Sequence, residues 1–404
     1  MSKLRIAITG VTGLIGRNLF FEIIKQNLHD LDNLEIFALG RDLYGKKLED
    51  RISTLIDNDG REYISSSRRE QEKVIYNLNS FVKCIHIDLA RDNLELCKKD
   101  FKTLSKHPIS IFYHIGASTD LRLGPVVEQR SREVNVNGTL RILGLISTLD
   151  VGEFCYVGTA YSCGDVNGKV LADSINLNQK FRNPYEKTKL EAEMLVREYA
   201  KKSKMKFRYF RPSVTCGRLI EKPLGSISKF DVFYGWAAFF LGIKNKNFNL
   251  VENIYDTKVN LDIRIYFNKN GGLNIVPVDY VAKLMYLICV ENIKGDSFHL
   301  VSERDTPHKL YTSLLLKEIN VEGYRFVNQM PNDLNHLEKL YYKTAGSVFT
   351  SYVIIEKIKF CTKNIKTLIE KKNIKCPKVD KKNLHILSGY AKKFNFGINL
   401  KQSL

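Results

Sequence analysis

The chain has 404 residues, 44% apolar and 26% charged, with nine prolines and no low-complexity stretch, which suits a folded protein with a sizeable core and argues against long disorder. No run approaches the roughly twenty apolar residues of a membrane-spanning helix, so such a helix is excluded. The formal net charge of +19 comes without any nucleic-acid-binding motif, so no nucleic-acid partner is expected.

In chain order, short β-branched apolar runs predict strands at Leu4–Thr9, Leu34–Leu39, Val82–Ile87, Ile109–His114, Phe154–Gly158 and Lys206–Arg211. Helical periodicity lies between them, as in Ile15–Gln26, where Leu19, Phe20, Ile23 and Ile24 share a face. The long polar stretch Leu43–Phe81 predicts a helical insertion, since a structureless loop of that length is uncommon. Residues 213–275 look irregular and aromatic, and an apolar run resumes at Leu273–Val278. The segment from Val232 to Ile243 is too short to cross a bilayer, which leaves core, an acyl-binding wall or a surface dip into lipid. A last strand is expected at Ser297–Val301.

From Pro331 the pattern turns helical, with fifteen lysines, no arginine and five acids, a local net of +10. A solvated helical face is the plain reading of those lysines. Attraction to an acidic carrier protein or a phosphate-rich substrate is the sharper one.

The alternation of strands and helices predicts an α/β fold with a Rossmann-type, doubly wound parallel sheet. An interleaved smaller substrate domain and a helical C-terminal appendage complete it. The expected division is 1–212 with part of 276–302 for the nucleotide domain, 213–275 and 303–330 for substrate, and 331–404 for the helical segment. Length alone suggests two or three domains. None of the eight cysteines forms a CxxC pair or a Cys/His cluster, so no metal site is expected. With a strand-like segment starting at once and leaving no room for a signal peptide, this predicts a cytoplasmic protein.

Thr9-Gly10-Val11-Thr12-Gly13-Leu14-Ile15-Gly16 follows the first strand and opens the first helix. Gly10 permits a tight turn, Gly13 a close approach to a pyrophosphate and Gly16 close helix packing. The free amides of the helix start would hold phosphates. Arg41, ending the second strand, offers a cation for a 2′-phosphate and favours NADP, while the adjacent Asp42 could instead accept from a ribose hydroxyl. Arg17 is either an assistant at that phosphate or a solvated helix residue. Asp88, followed by Leu89 at the end of the third strand, could accept from an adenine amino group.

Tyr185 and Lys189 stand four apart on one helix face. Thr159 follows the fifth strand, Gly116, Ala117 and Ser118 follow the fourth, and Asn135 could hold a water or the backbone beneath them. In this reading Tyr185 protonates a substrate oxygen, Thr159 bonds the same oxygen, and Lys189, with the positive charge of an oxidised nicotinamide, draws the phenol down from its usual pKa near 10, Lys189 also holding the nicotinamide ribose.

Together these motifs resemble the extended short-chain dehydrogenases/reductases over roughly residues 3–302. The chain is most similar to the thioester-reductase branch, which includes fatty acyl-CoA reductases and the terminal reductase domains of carboxylic acid reductases and non-ribosomal synthetases. Asp88–Leu96, the Leu43–Phe81 insertion, Asn183–Glu193, Arg211-Pro212-Ser213-Val214 and Val276–Ala282 carry the likeness, with Pro212, Ser213 and Val214 beside the cofactor. The helical run from Pro377 to Gly397 is similar to the C-terminal segment of fatty acyl reductases. Thr159 replaces the usual serine and Gly116 a common alanine. The resemblance implies an NADPH-dependent enzyme acting on an acyl thioester of coenzyme A or an acyl or peptidyl carrier protein. Hydride attack would give a hemithioacetal that loses thiol to leave an aldehyde, or an alcohol after a second hydride. Peripheral membrane contact is compatible with it. Nucleotide-sugar epimerisation or dehydration, hydroxysteroid-type alcohol oxidation and a non-catalytic NADP-binding scaffold are the alternatives.

Overall fold

The β-branched runs form a seven-stranded, all-parallel sheet in a computed structural model that describes residues 3–248 and 254–399. Its strands are β1 (Leu4–Thr9), β2 (Leu34–Gly40), β3 (Val82–His86), β4 (Ile109–His114), β5 (Val151–Val157), β6 (Lys206–Pro212) and β7 (Ser297–Leu300). They lie in the order β7-β6-β5-β4-β1-β2-β3, so the winding reverses between β1 and β4. Ile6 of β1 stands opposite both Ile36 and Ile111. Alternation divides each strand between two cores. Ile6, Ile8, Ile36 and Ile111 pack on one face, and Ala7, Phe37, Phe112 and Phe154 on the other.

Strand β5 starts three residues before the expected Phe154. Gly152 and Glu153 break the apolar run, but the Glu153 carboxylate is neutralised by Arg208 and Lys206 on the neighbouring strand. The Leu43–Phe81 insertion is helical, with helices at Leu48–Leu55, Arg61–Ile64, Arg68–Tyr76 and Leu78–Phe81.

The stretch 213–275 is more regular than its sequence suggests. It contains a helix, Tyr234–Phe248, and a strand, Val259–Tyr266, which pairs in parallel with Val321–Val327. The aromatic segment is core. Phe233, Trp236 and Phe240 are buried, and the Trp236 ring centroid lies 5.6 Å from Tyr341 and 5.7 Å from Phe349.

Both partners belong to the tail, whose helices His336–Lys343, Ala345–Val353, Lys366–Lys371 and Lys381–Lys393 include the expected helical run. A short strand, Ile358–Phe360, pairs in parallel with Gly168–Val170 and was not anticipated. Tyr341, Tyr352, Leu384 and Leu387 therefore share one hydrophobic core with Trp236. Among the described residues no helix is long and apolar enough to cross a membrane.

Candidate active site

At the sheet reversal the carboxyl ends of β1 and β4 diverge and leave a crevice, the place where open α/β sheets bind ligands. The cleft there measures about 840 Å³. It gathers Thr9, Gly10, Thr12, Gly13, Leu14, Ile15 and Gly16 from the loop after β1, and Arg41 from the end of β2. Asp88 and Leu89 follow β3, Gly116, Ala117 and Ser118 follow β4, Thr159 follows β5, and Pro212, Ser213 and Val214 come from β6. Tyr185 and Lys189 reach it from the helix Pro184–Lys202. Thr159, Tyr185 and Lys189 thus open onto one cleft although they come from two different elements.

The glycine loop fits a dinucleotide. Gly10 has φ +68°, and a Cβ there would stand 2.7 Å from the Gly116 backbone. A Cβ on Gly16 would meet the Gly10 carbonyl oxygen at 2.2 Å, so the first helix can start this close only on glycine. The cradle presents the helix N-terminus to the cleft, which suits the phosphates of a nicotinamide dinucleotide.

Two predicted site residues support the cleft from behind without lining it. Arg17 bonds the Thr12 carbonyl at 2.9 Å and reaches Asp59 at 3.4 Å. Asp59 also pairs with the buried Arg218, so Arg17 belongs to a clamp between the insertion and the first helix. Asn135 accepts from the Ser118 amide at 2.7 Å and donates to the Ser118 carbonyl and to Thr188 Oγ1. It holds backbone, one of the two roles expected of it.

At the other end the sequence reading missed Arg51. This guanidinium lines the cleft beside Arg41, donates to Thr12 Oγ1 at 2.9 Å and bonds the Arg41 carbonyl. Burial, reinforced by the neighbouring charge of Arg41, lowers its pKa. Asp42 is turned away, with Oδ1 accepting from the Leu48 amide at 2.9 Å and lying 3.7 Å from His86. Asp88 already accepts from the Ala90 amide at 2.9 Å and stands 3.4 Å from Arg41.

At the reacting end burial governs the electrostatics. It raises the Tyr185 pKa above that of an ordinary phenol; a hydrogen bond with Thr159 opposes the rise, and the charges of Asp231 and Glu186 add to it. Burial also draws Lys189 down to about 7, with Glu193 opposing. The Lys189 ammonium lies 4.4 Å from the centre of the Tyr156 ring. Sequence reasoning had Lys189 drawing the phenol down. In the structure desolvation acts the other way and raises the phenol.

Val126, Tyr161, Lys229, Asp231 and Tyr352 also line the cleft and were not foreseen, while Val232 begins the segment for which an acyl-binding wall was one expectation. Only Tyr161 had a nearby signal, two residues beyond Thr159. Among the described residues one group, Glu153, Cys155 and Cys289, brings metal-ligating atoms within 4.8 Å of one another. Its carboxylate is already paired with Arg208, the two thiols bond each other at 3.4 Å, and burial pushes Cys155 well up, so packing accounts for it.

The family model described as Male sterility protein, a NAD-binding model, matches residues 8–285. No curated protein matches the chain. Among solved structures, the terminal R domain from the myxalamid PKS-NRPS biosynthetic pathway is 19% identical with a TM-score of 0.69, covering 98% of this chain and 92% of its own. A thiolation-reductase di-domain from an archaeal non-ribosomal peptide synthetase is 16% identical with a TM-score of 0.63, at the same coverages. UDP-glucuronic acid 4-epimerase from Bacillus cereus, in complex with NAD, is 14% identical with a TM-score of 0.60, covering 98% and 99%. At these identities the structural likenesses establish the fold, and the model match over most of the chain establishes the family. The chain belongs to the male sterility protein family, with the fold of the extended short-chain dehydrogenases/reductases.

Proposed function

We propose that the protein is an NADPH-dependent reductase that converts an acyl thioester, on coenzyme A or a carrier protein, to an aldehyde or alcohol. The observation that carries this reading is the pairing of Arg41 with Arg51 at the adenosine end while Asp42 is engaged elsewhere. Two cations there suit a 2′-phosphate, and Asp42, the carboxylate that could accept from a free ribose hydroxyl, does not line the cleft. NADPH serves net reduction, whereas an epimerase returns its hydride and needs no such selectivity. Leu121, Val126, Val134 and Val232 give the substrate side an apolar wall, which suits an acyl chain better than a sugar. Two similar structures, a terminal R domain and a thiolation-reductase di-domain, point the same way. Eight free thiols suit a reducing cytoplasm.

A bound NADPH would supply the hydride for the thioester carbonyl carbon. The chain's part is then acid–base work. Thr159 holds the carbonyl oxygen, and Tyr185, a neutral phenol, gives that oxygen its proton. Collapse of the resulting hemithioacetal returns the hydroxyl proton to Tyr185 and expels the sulfur as a thiolate, which takes its proton from solvent. Lys189, titrating at about 7, is suited to exchange protons with that site between turnovers.

The test is to follow free thiol and NADPH together over a panel of acyl-CoA and carrier-bound thioesters. Thiol released in step with NADPH loss supports the proposal, and no release from any member overturns it. The epimerase reading rests on the structural likeness to the UDP-glucuronic acid enzyme, and UDP-sugars in the same panel test it.

A further inference from the structure

We propose that Tyr352, supplied by the C-terminal helical segment, is a positioning residue for the reduction, clamping the first turn of the helix that carries Tyr185. The proposal rests on the functional reading above and adds a residue to it. Asn183 caps that helix, its Oδ1 accepting from the Glu186 amide at 3.0 Å, and Pro184 opens it. The Tyr352 hydroxyl enters this cap from 166 residues away. It donates to Glu186 Oε1 at 2.7 Å and accepts from Asn183 Nδ2 at 2.8 Å. Glu186 is fully buried; its Oε2 accepts from the Arg182 amide at 3.0 Å, and the Arg182 guanidinium stands 3.4 Å from Oε1.

The ring is held as firmly as the hydroxyl. Tyr352 meets Tyr161 edge-on at 5.7 Å and lies 5.6 Å from the Arg182 guanidinium. Both tyrosines line the cleft. Behind them Phe360, from the tail strand, meets Tyr161 at 5.6 Å. Tyr185 lies between Asn183 and Glu186, the two residues that Tyr352 binds. A shift of the tail therefore reaches the proton donor through two hydrogen bonds.

Tyr352→Phe keeps the ring and removes only the hydroxyl. Misplacing a reacting group by about 1 Å can cost on the order of a hundredfold, so kcat should fall about tenfold to a hundredfold. KM for the thioester and Kd for NADPH should stay within about twofold of the unmutated values. Amide exchange should accelerate over residues 184–190 and not in the central sheet. Glu186→Gln should slow turnover comparably, and the double variant should be little worse than either single one, because both cut the same clamp. Unchanged kcat in Tyr352→Phe overturns the proposal, as does a loss in which kcat and NADPH affinity fall together with exchange rising throughout. If the unmutated protein reduces no thioester, the functional reading fails on its own. Exchange over residues 184–190 still decides the clamp, acceleration sustaining it and no change overturning it.

Discussion

Thr9 and His114 face each other across the paired strands β1 and β4, with the Thr9 hydroxyl 2.9 Å from Nδ1 of the imidazole. Thr9 Oγ1 also accepts from the amides of Ile115 and Gly116, each at 3.1 Å, so its own proton goes to Nδ1. The Nε2 proton then goes to Thr139 Oγ1 at 3.1 Å, and the Thr139 hydroxyl donates to the Asn135 carbonyl at 2.6 Å. Asn135 in turn reaches Thr188, on the same helix as Tyr185 and Lys189. Every proton in this buried chain has a direction, and the chain joins the glycine loop to the catalytic helix.

Thr9→Val is therefore expected to leave two amides and Nδ1 of the imidazole without a partner at nearly constant shape. Unsatisfied buried groups cost about 1–3 kcal/mol, so the urea midpoint should fall clearly and NADPH should bind more weakly. An unchanged midpoint would show that the network does not hold the loop.

At the cofactor's other end, Arg41→Ala and Arg51→Ala should each weaken NADPH while leaving NADH almost untouched. Hydrogen bonds to charged groups contribute about 1.5–3 kcal/mol, which corresponds to about tenfold or more in Kd. Titration of both cofactors by fluorescence checks this. Equal affinities in the unmutated protein would remove the case for NADPH.

Tyr185→Phe should bind NADPH normally and lose about a hundredfold to ten-thousandfold in kcat, the usual worth of general acid–base catalysis. Lys189→Ala should lose both turnover and cofactor affinity. Near-normal turnover in Tyr185→Phe would mean that the proton comes from another group.

Acid should destabilise the fold earlier than carboxylate protonation alone would. Burial lowers His114 to about 3, and His299 and His308 each to about 4, against 6.5 for a free histidine. These folded-state pKa values are depressed, so each ring stays neutral in the fold while the unfolded chain takes up a proton. The stabilisation is present above about pH 6.5 and is lost as pH falls towards about 4, by up to about 1.4 kcal/mol per pH unit for each histidine. Urea midpoints at about pH 7.5 and about pH 5 should differ accordingly, and coincident midpoints would contradict the burial account.

The parallel sheet was legible because most of its strands are short apolar runs buried on both faces, several of them rich in β-branched residues. The aromatic segment was noticed but its helical form, Tyr234–Phe248, was not, because Trp236, Ala237, Phe240 and Leu241 are all buried and leave no amphipathic period to read. Val259–Tyr266 was readable in principle, since its buried and exposed positions alternate over most of its length. Arg51 and Tyr352 were not. Neither sits in a motif, and each reaches the site by packing between segments far apart in sequence.

The central claim is that hydride is delivered to a thioester carbonyl, and isotope transfer tests it most directly. With NADPH deuterated at the transferred position, mass spectrometry of the product reports where the label goes. The account predicts one deuterium on the aldehyde carbon, or two on the carbinol carbon if reduction continues to the alcohol, with one free thiol per product. Thioesters left unlabelled, beside UDP-sugars epimerised without net NADPH loss, would contradict it.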